Sequence, residues 1–291
     1  MILPRWWNGR HATLRSLWAK ARESSSLFLG TKNYIVNIDM NTLVAILTSD
    51  KIDKLERCIK SVLQQTPLSD IVVIINTADT QYATSAQHTC KKYGIRYEVT
   101  ISNGTPAMGK NSVLDFFLNT EYDYLTQIDG DDYLTPNAID KIHSIIQNNP
   151  DIDILGLTNN PMTYQGKQYM VQEFFESSDI YSFAGIDGRE ALNLIALGKF
   201  MVNHLPWNRI LLYSRQCAES FRFDETFLGA EDIVASYELY YNSTLKYLFT
   251  HEHLYMYDLE PNGNFNTFLA NSTEVKKIHM KLRTVVNASK I

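Results

Sequence analysis

An α/β fold, one mainly parallel sheet flanked by helices, is predicted from three observations. From Met40 onward, short β-branched or apolar runs alternate with longer segments that are apolar at helical spacing. The run "DIVVIIN" (Asp70 to Asn76) is apolar at consecutive positions, as in a strand buried on both faces of a parallel sheet. Three aspartates, Asp129, Asp131 and Asp132, follow another strand-like run, "YDYLTQI" (Tyr122 to Ile128), at the end where open α/β sheets bind ligands.

Each element follows in order. "TLVAILT" (Thr42 to Thr48) is the first strand, and "KIDKLERCIKSVLQQ" (Lys51 to Gln65) a helix with Leu55, Cys58, Ile59 and Val62 on one face. After "DIVVIIN" come a helix around Gln81 to Tyr93 and a third strand, "IRYEVTI" (Ile95 to Ile101). "GKNSVLDFFLNT" (Gly109 to Thr120) is a helix with Val113, Phe116 and Phe117 inward, leading to "YDYLTQI". Beyond the acidic cluster, Thr135 and Pro136 are expected as N-cap and N1 of a helix reaching about Gln147. "DIDILGLT" (Asp151 to Thr158) is a further strand. The Tyr-, Phe-, Gln- and Ser-rich region from about Asn159 to Arg189 has weak periodicity and reads as an insertion or lid. "REALNLIALGKF" and "EDIVASYELYYNS" read as helices, and "TLKYLFTHEHLYMY" as strand.

A chain of 291 residues can bury a large core, and one domain is favoured. Its net charge of -5 gives no general attraction to nucleic acid or anionic membranes, so a polyanionic partner must be met locally. Cys58, Cys90 and Cys217 are odd in number and lack a CxxC spacing, which suggests neither a disulfide framework nor a zinc knuckle. A cytoplasmic location is the plain reading, with peripheral membrane attachment left open. The apolar runs are too short for an integral membrane segment, which needs about 20 residues.

Residues 1–39 differ in character. Arg5, Arg10, Arg15, Lys20 and Arg22 face only Glu23 in the first thirty, as in a basic arm for membranes or partners. The segment lacks the continuous apolar core of a secretory signal. "NGRHATLRSLWAKARESSSLF" also resembles conceptual translation of a leucine-type transfer RNA gene, which would put the start of the protein at Met40.

The "DGDD" cluster (Asp129 to Asp132) has two readings from chemistry alone. Carboxylates are favoured at a helix start by its dipole, so an acidic cap is one. Crowded carboxylates also raise one another's pKa unless a cation joins them, and oxygen ligands select hard ions such as Mg²⁺, Mn²⁺ or Ca²⁺. An EF-hand is disfavoured, because Leu134 stands where its turn glycine belongs. A phosphatase of the aspartyl-phosphate type is disfavoured too, because Tyr133 stands where its small hydroxyl residue is expected. No GxGxxG follows the first strand, which disfavours a dinucleotide-binding dehydrogenase.

Four blocks, in order, resemble a family-2 glycosyltransferase of the GT-A fold across most of Asn41 to about Asn266. "LTSDKIDKLERCIKSVLQQT" resembles the family's first strand, nucleotide-contacting loop and L-x-x-C-L-x-S-V-L-x-Q helix. "DIVVIINTADT" is similar to its second strand. "GKNSVLDFF" and "DYLTQIDGDDYLTP" resemble the A-R-N helix and the D-x-D-D strand end. "PWNRILLYSRQCAESFRFDETFLGAEDIVASYEL" resembles the acceptor half, with its W-N-K, F-D-E and G-x-E-D motifs.

The resemblance implies a single Rossmann-like, mixed but mainly parallel sheet at residues 40–266. Residues 40–132 would be the nucleotide-sugar half and 133–266 the acceptor half, with a helical tail at 267–291. It implies a metal-dependent, inverting transfer of sugar from a nucleotide-sugar, a UDP-sugar foremost, to a hydroxyl acceptor, a glycan first. Glycosylation of a modified DNA base or a protein is the alternative, as is a sugar-nucleotide-binding protein without turnover.

Asp129 and Asp131 fall on the D-x-D that holds Mn²⁺ or Mg²⁺, Asp131 foremost. Asp132 falls beside it, as ribose contact, loop anchor or cap. Asp232 falls on the catalytic base, with Glu231 beside it orienting the acceptor or a backbone amide; an acidic helix start is the plainer reading of both. Thr48, Asp50, Asn76 and Lys110 fall on donor contacts, Asn76 replacing an aspartate that reads the base and Lys110 an arginine. Trp207 and Asn208 fall on the acceptor-side motif, where Trp207 stacks on a sugar or is simply buried. His251 and His253, two apart, would face one side of a strand, either of them a late metal ligand or a structural histidine.

Overall fold

The computed structural model describes residues 41–67, 69–157, 160–170, 209–241, 244–260 and 272–288. Strand β1 (Thr42–Thr48) pairs in parallel with β2 (Asp70–Asn76), from Leu43↔Asp70 to Thr48↔Ile75. Between them, α1 (Ile52–Leu63) buries Leu55, Cys58, Ile59 and Val62, the stripe its spacing predicts. Helix α2 (Thr80–Lys92) starts at Asp79, whose side chain accepts from the Gln81 and Tyr82 N–H groups, and leads to edge strand β3 (Arg96–Thr100). Helix α3 (Pro106–Leu118) begins earlier than its apolar pattern, because Thr105 caps it through the Met108 N–H and Pro106 takes N1.

Strand β4 (Tyr124–Asp129) returns beside β1, with Leu47 opposite Asp129. There follow β5 (Tyr133–Leu134), α4 (Ala138–Asn148), β6 (Ile154–Leu157), β7 (Pro161–Tyr164) and β8 (Lys167–Met170). The remaining elements are β9 (Arg209–Ser214), α5 (Arg215–Ser220), α6 (Glu231–Tyr240), β10 (Tyr247–Thr250), β11 (Tyr255–Leu259) and α7 (Ser272–Ala288).

Seven strands form one sheet in the order β10-β6-β9-β4-β1-β2-β3, in which only β9 runs antiparallel to its neighbours. The chain leaves β1 for β2 and β3, then returns to β1's other side as β4. In open α/β sheets such a reversal marks the place where ligands bind, here the carboxyl ends of β1 and β4. Alternate residues serve opposite layers: Val44 and Ile46 pack with Leu55, Ile59 and Ile142, while Leu43 and Ala45 pack with Leu114 and Phe117. Helix α7 extends the core, burying Ile278 and Leu282 against Phe227, Val234 and Tyr237.

A second sheet, β5-β11-β7-β8, accounts for three departures from expectation. Thr135 does not cap a helix: its N–H donates to Leu254 O, continuing the β5–β11 pairing, and its hydroxyl donates to His253 O. Helix α4 starts only at Ala138, after Asn137 in the left-handed region at φ 62°. The strand-like run after Thr244 divides into β10 and β11 in different sheets. The Thr250 hydroxyl accepts from the Glu252 N–H and turns the chain, which leaves His251 and His253 in an exposed connection. The start of the region read as a lid is scaffold: β7 and β8 form a hairpin through Gln165 and Gly166, at φ 50° and 74°, and β7 pairs with β11. The rest of that region, and "REALNLIALGKF", lie outside the described residues, as do residues 1–40. Among the described residues no helix is long and apolar enough to cross a membrane.

Candidate active site

The acidic loop sits at the carboxyl end of β4, pressed against the end of β1. The Gly130 N–H donates to Leu47 O at 2.6 Å, and a Cβ at Gly130 would meet Thr48 Cβ at 2.9 Å and Leu47 O at 3.0 Å. Glycine is required here by close backbone approach. The loop is closed by the Asp132 N–H donating to Asp129 O at 3.0 Å.

The three aspartates have different surroundings. Asp129 pairs with the Arg209 guanidinium; burial opposes its charge, but Arg209 and Lys110 outweigh it and bring the carboxyl down to about 2. Asp131 lies 3.2 Å from Lys51 Nζ, yet burial and the charge of Asp129 push its carboxyl up. Asp132 is 1% exposed, bonded to the Tyr255 hydroxyl and accepting from the Asp258 N–H at 2.8 Å. Burial, then Asp131, push it well above the usual carboxylate range. Asp132 is thus the loop's anchor to β11; it caps no helix.

A row of cations at the N-cap and first turns of α1 backs the loop. Lys51 reaches Asp131 and Glu260, Lys54 reaches Asp258 and Glu260, and Arg57 donates to Asp131 O at 2.6 Å and to Asp258 at 2.7 Å. The three stand at i, i+3 and i+6, on one side of the helix. Thr163 on β7 donates to the other oxygen of Asp258, at 2.6 Å.

The second half of the site is held by α3. Lys110 Nζ lies 2.6 Å from Glu231 Oε1 in an ion pair with side-chain exposures of 7% and 6%. Burial opposes the Lys110 charge, but Glu231, Asp232 and Asp129 outweigh it and raise its pKa. Burial likewise pushes Glu231 up, against Lys110. Asn111 bonds both ways to the Phe223 backbone, 2.8 and 3.0 Å, and donates to Glu225 at 2.8 Å. Glu225 also accepts from Asn103 at 3.2 Å. "GKN", "FDE" and "GAED" are therefore one assembly. Asp232 lies in the first turn of α6, entered through Ala230 in the left-handed region at φ 57°. Burial, then the charges of Asp132, Asp131, Asp232 and Asp129, push the Tyr257 phenol well up. Both acidic groups thus act on one tyrosine of β11.

The other sequence-chosen residues are placed as follows. Asn76 ends β2 and is buried, and its amide nitrogen donates to Thr100 Oγ1 at 2.8 Å and Ile101 O at 2.9 Å. Only its carbonyl oxygen is left to meet a ligand. Thr48 is buried and bonded to the Tyr82 hydroxyl; Asp50 is exposed on the following loop. The His253 side chain is exposed, and no three His, Cys, Asp or Glu side chains among the described residues group to hold a metal, so His253 is not gathered with Asp129 and Asp131. Trp207 and Asn208 lie outside the described residues. Arg209, Lys51, Tyr255, Asn111 and Glu225 were missed by sequence reasoning; the family-like "WNR", "GKN" and "FDE" blocks were the available signals for Arg209, Asn111 and Glu225.

The site fits a hard divalent cation. Asp129 Oδ1 is covered and has no hydrogen-bond partner, and the Asp131 side chain, 38% exposed, carries like charge beside it. Two carboxylates suffice when phosphate oxygens and water complete the shell, the usual pattern for Mg²⁺.

Comparison with known proteins agrees with this architecture. The model of the family described as "Glycosyl transferase family 2" matches residues 43–204, more than half of the chain. The solved structure of S. aureus TarS 1-349 in complex with UDP is 16% identical, with TM-score 0.53 over 84% of this chain and 65% of that one. The complex of the same protein with UDP-GlcNAc is 15% identical, with TM-score 0.52 over 78% of this chain and 61% of that one. The chain thus spans less than two thirds of the length of these proteins, and the likeness establishes the fold as GT-A. No curated protein matches the sequence.

Proposed function

The chain belongs to glycosyl transferase family 2, and from that premise we propose that it is a divalent-metal-dependent, inverting transferase of sugar from a nucleotide-sugar to a hydroxyl of a glycan acceptor. The observation that carries this reading is the buried Lys110, which pairs with Glu231 at 2.6 Å at the start of α6 and also feels the charges of Asp232 and, from the acidic loop, Asp129. The acidic loop suits a leaving diphosphate, the start of α6 an attacking hydroxyl.

In this mechanism Asp131 and Asp129 would hold Mn²⁺ or Mg²⁺, which would supply Lewis acidity for the charge that builds on the departing nucleoside diphosphate. Lys51 keeps Glu260, 3.1 Å away, as partner when a cation takes Asp131. Asp232 accepts the acceptor's hydroxyl proton as that oxygen bonds to the anomeric carbon. The bond from that carbon to the phosphate oxygen breaks on the opposite side, and in-line attack inverts the centre. The Lys110–Glu231 pair fixes the start of α6 and with it Asp232. Donor contacts fall to Thr48, Asp50 and the Asn76 carbonyl at the ends of β1 and β2, and acceptor contacts to Glu231, Trp207 and Asn208. On this reading residues 40–132 form the donor half and 133–266 the acceptor half. A UDP-sugar is the first donor to test, since TarS, of the same fold, is solved with UDP and UDP-GlcNAc.

The test is turnover of a panel of UDP- and GDP-sugars with Mn²⁺ or Mg²⁺ and oligosaccharide acceptors, followed by nucleoside diphosphate release and by NMR of the new linkage. Metal-dependent release with inverted configuration is expected. Retained configuration, or turnover indifferent to metal removal by chelation, would sink the mechanism.

A further inference from the structure

Arg209 opens β9 beside β4, and the mechanism above gives it no task. It is 4% exposed, so a permanent positive charge is enclosed in the sheet. Its Nη1 donates to Asp129 Oδ2, and its guanidinium lies over the Tyr255 ring, 4.5 Å from the centroid. Tyr255 in turn fixes the loop, accepting from the Asp129 N–H at 3.4 Å and bonding to Asp132. The Asp129 carbonyl accepts from the Asp132 N–H at 3.0 Å and from Cys58 Sγ at 3.7 Å. Every hydrogen-bonding atom of Asp129 is therefore engaged except Oδ1, which is covered and unpartnered. A carboxylate whose second oxygen is clamped by a stacked, planar cation cannot turn that first oxygen away.

We propose that Arg209 is the positioning residue of the site: by clamping Asp129 Oδ2 against Tyr255 it presents Oδ1 to the divalent cation that joins the donor's diphosphate. This rests on the metal-dependent reading above. A lysine would keep the charge but neither stack as a plane nor fix the carboxylate's rotation. Partners that orient a ligating carboxylate typically govern metal affinity by about 10- to 100-fold.

The test uses Arg209→Lys and Arg209→Ala, each confirmed to melt cooperatively. Bound Mn²⁺ is followed by the loss of its free EPR signal at fixed UDP, and UDP binding is measured separately without metal. The half-saturating Mn²⁺ concentration is expected to rise about tenfold or more in both variants. UDP affinity without metal should stay unchanged, and sub-denaturing guanidinium, but not sodium, should restore Mn²⁺ affinity to Arg209→Ala. Should Arg209→Ala fail to fold, Arg209→Lys carries the test. Unchanged Mn²⁺ affinity in folded Arg209→Lys overturns the proposal, and so does an equal loss of UDP affinity without metal, which marks a general structural role. Wild-type protein that takes up no Mn²⁺ with UDP fails earlier and differently, overturning the metal reading itself.

Discussion

Asp132 shows how far a single residue can be read from sequence. Its carboxylate stood open between cap, ribose contact and loop anchor, because its partners, Tyr255 and the Asp258 N–H, lie 123 and 126 residues away. No local pattern announces such bonds. Asp129 and Asp131 were legible, since a strand end and a glycine placed them, but their counter-ions Arg209 and Lys51 were not. Gly130 carries a prediction at this scale. Gly130→Ala puts a methyl group against the Thr48 Cβ and the Leu47 carbonyl, at 2.9 and 3.0 Å. Overpacking of this kind costs about 1–3 kcal/mol. Urea denaturation should show that loss, and Mn²⁺-dependent UDP binding should weaken as the loop shifts.

Among elements, α3 ties the two halves together. Its apolar face was legible, but Lys110 and Asn111 interrupt that face and look like surface residues in a helical pattern. They are buried because Glu231, Phe223 and Glu225 receive them. Removing one member of a buried ion pair strands the other, typically at about 3–5 kcal/mol, whereas replacing both is often tolerated. Lys110→Met should therefore destabilise by that amount in thermal or urea melts, and Lys110→Met with Glu231→Leu should regain most of it. Failure of the double variant to recover would show that the pair is not an isolated unit. The joint of α1 with α2 carries a pH prediction. Glu56 accepts from the Tyr93 hydroxyl at 2.5 Å and pairs with Lys60 at 2.9 Å and Lys92 at 3.0 Å, in that order of effect, and these hold it down to about 2. A folded-state pKa below the unfolded one stabilises above the usual carboxylate range, and the contribution is lost as pH falls from about 4 through 2. Glu56→Gln should thus be less stable than wild type at pH 6, and the difference should shrink toward pH 2.

At the scale of the molecule, the described residues form a mainly parallel α/β sheet with one reversed strand and a small second sheet. The parallel part was legible from doubly apolar strands alternating with helices. The reversal was not: β9 slots between β4 and β6, with Arg209 opposite Leu157 and Leu212 opposite Thr126, through contacts far apart in sequence. Nor was the second sheet, because β5 is a two-residue strand and no glycine or proline marks the break between β10 and β11. Yet these two features hold the acidic loop, β9 through Arg209 on Asp129 and β11 through Tyr255 on Asp132, and the proposed function divides the work between that loop and Asp232. The direct test of that division of labour is Asp232→Asn, with donor affinity and transfer rate measured side by side on one preparation. Donor and Mn²⁺ binding should be unchanged while transfer falls about 10²- to 10⁴-fold, the usual contribution of a positioned base. Transfer at the wild-type rate would contradict the assignment of Asp232, and with it the two-part site.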